Sequence, residues 1–387
     1  MRQVSKRRVF YLGGFDPRGM AAYYRMFCEE SEKQSAWSGI LVKVERSQRY
    51  GPLTSVWSAE RSDNDGSVKT TIEFFKWDDI VRRHWPSGLV RMYWLAIKTC
   101  WHGIVTTGLL ARVFRIAKWQ FVTGVVPVLI LFGLPLLALL AGGLGYSWGQ
   151  SVAPTSGWIL PLLCASSGFV TVITFAYWLG RKLRLGWLLR TYAFVVDYGR
   201  GKVPELDSRL GRLAEHIARY IETSDDDEIL IVGHSVGANL AASVLARSLA
   251  ANPQLCRSCK SLNLLTLGGS IPMQGLLPEA CDFRDELALL AKNSNILWVD
   301  VSATEDAICF PLLNPVIASG VVLDRQVSGP KVVSASFREM LAPETYRKVS
   351  WDLFRMHFQY LMASERECTL DYLSITTGSL AFRKRFG

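Results

Sequence analysis

The sequence predicts an α/β protein built on a mostly parallel sheet with helices on both faces, interrupted by a two-helix hairpin that crosses a membrane. Three observations carry this. An apolar run over residues 229–232 leads through Gly233-His234-Ser235-Val236-Gly237 directly into a small-residue helical pattern of Ala238, Ala241, Ala242, Val244 and Leu245. Apolar runs of strand length recur before residue 80 and after residue 190, alternating with helical periodicities, the pattern of strand–helix–strand units. Between them, the sixty residues 121–180 contain no Asp, Glu, Lys, Arg or His, a composition foreign to a water-facing surface.

The first observation carries the chemistry. A serine at a sharp turn from strand to helix is forced into a strained backbone, and glycines two residues to either side let the chain segments pass. The hydroxyl of Ser235 then stands clear of the sheet, with the N–H of Val236 and the new helix N-terminus facing a developing oxyanion. The plainer alternative is a tight turn whose serine only caps the helix. On these residues the chain resembles the α/β-hydrolase superfamily, most closely its lipase- and esterase-like serine hydrolases. The resemblance implies a nucleophile at Ser235, followed along the chain first by an acid and then by a histidine.

Before the apolar stretch, residues 8–12 read as a buried strand and Gly13-Gly14-Phe15-Asp16-Pro17 as a loop opening onto a helix over about 19–33. In the resemblance this unit supplies the other half of an oxyanion hole, from the N–H of Phe15 with Gly14, because glycines let backbone approach a substrate closely. The lipase pattern often has a histidine ahead of its glycines, where this chain has Leu12, and a plain tight turn is the alternative. Residues 40–44, 56–61 and 68–77 have strand character, with Asp-Asn-Asp-Gly at 63–66 as a hairpin-type turn. Trp77-Asp78-Asp79 caps a helical pattern through Ile80, Val81 and His84. Residues 89–119 mix large apolar side chains with cations, too charged to span and too apolar to be freely solvated. They fit amphipathic helices in the headgroup layer or a helical lid on the body.

Residues 121–144 and 158–180 are each long enough to cross a hydrocarbon core of ~30 Å as helices, with 145–157 as the turn between them. The net charge of +10 would suit a nucleic-acid binder. Its distribution does not: Arg82, Arg83, Arg91, Lys98, Arg112, Arg115 and Lys118 precede the apolar stretch, and Arg181, Lys182, Arg184 and Arg190 follow it, with no acidic residue in either flank. These cations exceed the whole net charge, so the remainder is close to neutral and no nucleic-acid partner is expected. Basic flanks stay on the cytoplasmic side. The expected protein is therefore integral to the plasma (inner) membrane, with Ser235 and both termini cytoplasmic. No apolar run of signal-peptide length follows the first eight residues. The eight cysteines are expected as thiols, and Cys256-Arg-Ser-Cys259 lacks a second pair or histidine at metal spacing, so neither metal nor cofactor is implied.

After the hairpin, residues 192–196 read as a short strand or connector. Residues 206–221 form an amphipathic helix with Asp207 or Ser208 as its cap, and 224–228 a solvated acidic loop. Beyond the Ser235 helix come a strand over 261–267 ending in a glycine-rich loop, a helix near 284–292, a strand over 295–301 and another over 331–337. Ser302-Ala-Thr-Glu-Asp306 ends the third of these elements, where catalytic groups collect in open α/β sheets. Of five histidines only His357 lies after Ser235, so the order implied by the resemblance makes it the base, although about twenty residues separate it from the preceding strand. Asp306 is preferred as the acid over Asp300, Glu305 and Asp324. His234 reads as a packing residue; His84, His102 and His216 read as structural.

The expected organisation is a hydrolase domain in two parts, 1–80 and 191–387, around a membrane-associated insertion, 81–190. The expected activity is cleavage of a small-molecule or lipid-like ester, drawn from membrane lipid, through Ser235, His357 and Asp306, with Val236, Phe15 and Gly14 at the oxyanion. The alternative is an inactive member of the fold that serves as a binding or assembly module.

Overall fold

The computed structural model describes residues 3–387 except 64–65, 156, 324–328 and 369. Asn64 and Asp65 of the expected turn, and the candidate acid Asp324, lie outside the described residues. The strands are β1 Lys6–Leu12, β2 Val42–Val44, β3 Gln48–Arg49, β4 Thr54–Asp63, β5 Gly66–Phe75, β6 Glu228–His234, β7 Leu262–Leu267, β8 Leu297–Ser302 and β9 Lys331–Ser334. Among the described residues they form one sheet in the order β2-β4-β5-β1-β6-β7-β8-β9, with β3 on β4. From β5 to β9 every pairing is parallel, and β4 runs antiparallel to β2, β3 and β5.

This order explains the sequence pattern. β6 and β7 are buried at every position, so they read as continuous apolar runs rather than alternating ones. β1 lies between β5 and β6, with Phe10 opposite both Glu73 and Ile231. The sheet thus joins strands from the two sides of the apolar stretch. The short β3 had no separate signal, and β9 stops at Ser334 rather than 337.

Three local expectations change. Residues 192–196 lie inside a helix, Leu185–Gly199, not a strand; burial of Leu188, Leu189, Phe194 and Val195 against the core overrides the β preference of the valines. The amphipathic helix is Pro204–Thr223, opened by proline after Val203 with no side-chain cap from Asp207 or Ser208. The acidic loop is only partly solvated: Asp226 is buried and accepts from Tyr220 and Ser224, while Glu228 is buried on β6 against Arg7, 2.7 Å away.

The apolar stretch forms two helices, Lys118–Val152 and Ile159–Lys182, long and apolar enough to cross a membrane. Only 11% and 6% of their most apolar windows is buried, whereas a core hairpin of a water-soluble body would be largely covered. The first helix continues into the expected turn as far as Val152, because Gly145 and Gly149 serve packing. A Cβ on Gly149 would lie 2.7 Å from Pro161 Cα, and one on Gly168 2.7 Å from the Ala141 carbonyl oxygen. Small residues here let the two backbones approach. Residues 89–116 form helices Leu89–Cys100 and Leu109–Ile116 joined by a π-helical turn, Trp101–Thr106. Trp94, Trp101 and Trp119 each remain more than half exposed.

Candidate active site

Gly233 and Gly237 occupy positions closed to any other residue. A Cβ on Gly233 would overlap the Gly237 carbonyl, and one on Gly237 the Leu12 carbonyl. Between them Ser235 holds φ 59° and ψ −127°, a strained conformation for a side-chain-bearing residue, and helix Val236–Ala251 begins at once. The registers Leu12↔Gly233 and His234↔Leu267 set this turn at the carboxyl ends of β1, β6 and β7.

The loop after β1 closes against the turn: a Cβ on Gly14 would come within 3.0 Å of Ser235 Cβ. Gly14 does not fill the donor role expected of it, since its N–H donates to Tyr23 Oη at 3.1 Å. The N–H groups of Phe15 and Val236 have no protein acceptor among the described residues. Asp16 is buried and held by Arg18, whose Nη2 lies 2.6 Å from Oδ2.

The other two candidates converge. β8 ends at Ser302, and the following turn buries Asp306 completely. Helices Phe337–Met340 and Pro343–Val349 fill the long interval after β9. Helix Leu353–Phe358, capped by the Asp352 side chain, then returns His357 to the same place. His357 Nδ1 lies 2.8 Å from Asp306 Oδ2. Tyr360 donates to that same oxygen at 3.1 Å, and Ile308 N–H donates to Oδ1 at 3.0 Å. Burial alone would raise the Asp306 pKa, but the neighbouring His357 ring and the Ile308 N–H outweigh it and hold the carboxyl below its ordinary value. His357 Nε2 is buried and has no hydrogen-bond partner among the described residues.

Ser235 and His357 line one cavity of ≈ 30 Å³, together with Gly14, Phe15, Tyr192 and Ile308. No hydrogen bond joins Ser235 Oγ to His357 Nε2, and the space admits roughly one or two waters. Its cover comes from Trp187, Leu188, Thr191 and Tyr192 of helix Leu185–Gly199 and from Phe354 and Phe358. None of residues 89–119, the expected lid, lines it.

The chain matches no family model, no curated protein and no solved structure. The site therefore rests on its own geometry, which separates the remaining candidates. Asp300 sits within β8, accepts from Thr266 Oγ1 at 2.5 Å, and is pushed up to about 7 by burial. Glu305 accepts from Thr304 rather than from His357. His234 is buried beside the histidine, ring centroids 5.0 Å apart, and its Nε2 lies 2.9 Å from the His357 carbonyl oxygen. Burial, with His357 nearby, pushes its imidazole down to about 3, so it is neutral and donates that bond. His234 thus fixes the turn that carries His357. His84 and His216 pair instead with Glu205 and Glu73 at 2.9 and 2.7 Å.

Sequence reasoning passed over Tyr360 and Tyr23. Tyr360 stands three residues beyond His357, the spacing that returns a side chain to the same helical face. Tyr23 lies in the helix after the glycine loop, and nothing local marks its role.

Proposed function

We propose that this chain is a membrane-anchored serine hydrolase of the α/β-hydrolase type that cleaves an apolar, lipid-like ester. The observation that carries the reading is the state of His357: Nδ1 is engaged by a buried carboxylate, while Nε2 is buried without a partner in the cavity it shares with Ser235. A proton held on Nδ1 leaves the Nε2 lone pair as the base for the serine hydroxyl.

In the reaction His357 Nε2 takes the Ser235 proton as Oγ adds to the ester carbonyl. The N–H groups of Val236 and Phe15 donate to the oxyanion. The same imidazolium then gives its proton to the departing alkoxide, leaving an acyl-serine. Water, deprotonated by His357, attacks this ester, and the proton passes back to Ser235 as the acid leaves. No metal or cofactor enters these steps.

The apolar hairpin, with Lys118 at the start of its first helix and Arg181 and Lys182 at the end of its second, supports a membrane anchor whose basic end faces the cytoplasm, together with the sheet and both termini. The small size of this cavity, ≈ 30 Å³, favours a second reading, an inactive fold kept as a binding or assembly module.

The deciding experiment treats the full chain, in detergent and in liposomes, with a serine-directed fluorophosphonate. Labelling that disappears in Ser235→Ala is the expected result. A chain with Ser235 intact that stays unlabelled in both settings would leave the module as the surviving description.

A further inference from the structure

We propose that a second, apolar cavity between the insertion and the sheet-bearing body seats the acyl chain of the substrate, admitted from the bilayer past Tyr192. The proposal rests on the hydrolase reading above and specifies its substrate as an ester carrying a long acyl chain.

The cavity measures ≈ 230 Å³ and no Asp, Glu, Lys, Arg or His lines it. Its walls include Gly124, Val128 and Leu129 of the first long helix, Ile104 and Val113 from the helices before it, and Phe310 from the body. An apolar cavity of ~150 Å³ already admits benzene, and such spaces stay dry. A ligand here must therefore be hydrocarbon. Two of its lining residues, Ile104 and Leu129, are 59% and 62% exposed, on elements with the composition of a bilayer contact. That gives a way in from lipid rather than from water.

Its inner end meets the wall of the Ser235 cavity. Tyr192 lines both cavities. The segment that follows Asp306 is divided between them, with Ile308 on the Ser235 side and Phe310 on the apolar side. Tyr192 is therefore the partition, tethered to the long helix by a 2.7 Å hydrogen bond with Thr123 Oγ1, which also lies 3.1 and 3.3 Å from the carbonyl oxygens of Gln120 and Ala307. Turning that ring aside joins the two spaces into one path lined with carbon, which leads from the lipid to Ser235. A chain lying in it delivers its carbonyl to the hydroxyl and keeps its methylenes out of water.

Two p-nitrophenyl phosphonates that differ only in a methyl or a dodecyl substituent test this through the rate of Ser235 labelling, on the full chain in bilayer discs. Gly124→Phe puts a phenyl ring into the cavity. A Cβ there meets Tyr192 at an ordinary 3.7 Å, so the backbone need not move. Val128→Trp fills the same space independently. In each variant the dodecyl-to-methyl rate ratio is expected to fall at least about tenfold, the value of roughly two buried methylenes. Comparing ratios cancels the probes' own partition into lipid, and labelling by the methyl probe reports a folded site. An unchanged ratio in variants that still react with the methyl probe overturns the acyl cavity and leaves the hydrolase standing. Wild-type chain that reacts with neither probe removes the hydrolase reading and this proposal with it.

Discussion

Asp306 and Asp300 are both buried at or just beyond the carboxyl end of β8, and their surroundings drive them in opposite directions. Asp306 gathers donors from His357, Tyr360 and Ile308 and stays ionised, whereas Asp300 has the Thr266 hydroxyl and is pushed up to about 7 by burial. If the proposed reaction holds, Asp306→Asn lowers kcat by roughly 10⁴, since the amide stabilises the wrong imidazole tautomer. Asp300→Asn acts on stability instead. Its folded pKa stands above the ordinary 3.8, so its contribution is complete below that value and is lost as pH rises through about 7, at up to ~1.4 kcal/mol per pH unit. Thermal unfolding at pH 5 and pH 8 is expected to show a smaller loss at pH 8 in Asp300→Asn than in the wild type. His234 has the opposite sign: its pKa is depressed to about 3, so the stability it contributes is whole above its ordinary value of 6.5 and is lost as pH falls toward 3. At this scale Ser235, His357 and Asp306 were legible because motif and chain order are properties of the sequence. The partners Tyr360 and Tyr23 were not, because a phenol finds its acceptor or donor through tertiary packing.

Helices and strands are legible where burial is uniform, as along the whole of β6, or confined to one face, as in helix Pro204–Thr223. They were misread where a residue type served an unexpected purpose. Gly145 and Gly149 looked like turn formers and instead lie within the first long helix, pressed against the second. A direct comparison follows. Gly149→Leu forces bulk into the Pro161 backbone and is expected to destabilise the hairpin by about 1–3 kcal/mol. Gly143→Leu, where a Cβ meets nothing within 4 Å, is expected to be nearly neutral. Thermal unfolding of both variants in one detergent distinguishes them, and equal losses would mean that the two helices do not pack through these glycines. Helix Leu185–Gly199 teaches the same lesson from the other side: its valines suggested a strand, yet its position over the Ser235 cavity depends on faces that appear only once the sheet exists.

At the scale of the whole molecule, a buried ion pair ties the two ends of the chain to the middle of the sheet. Arg7 on β1 meets Glu228 on β6 at 2.7 Å, and its Nη1 donates to the carbonyls of Thr376 and Gly378 at 3.1 and 2.7 Å. Glu228 in turn accepts from Phe382 N–H at 2.7 Å. Removing one partner strands the other charge, so Arg7→Met is expected to cost about 3–5 kcal/mol in unfolding free energy. The double change Arg7→Met with Glu228→Gln is expected to recover part of that loss, as read by denaturant titration.

The split origin of the sheet also orders its synthesis. β1 emerges first, but β6, one of its two neighbours, emerges only after the whole uncharged hairpin has left the ribosome. Until then β1 presents an open hydrogen-bonding edge that other chains can join. Completion of the sheet therefore waits on synthesis of the whole hairpin, and an interruption there leaves β1 with one of its two neighbours unmade.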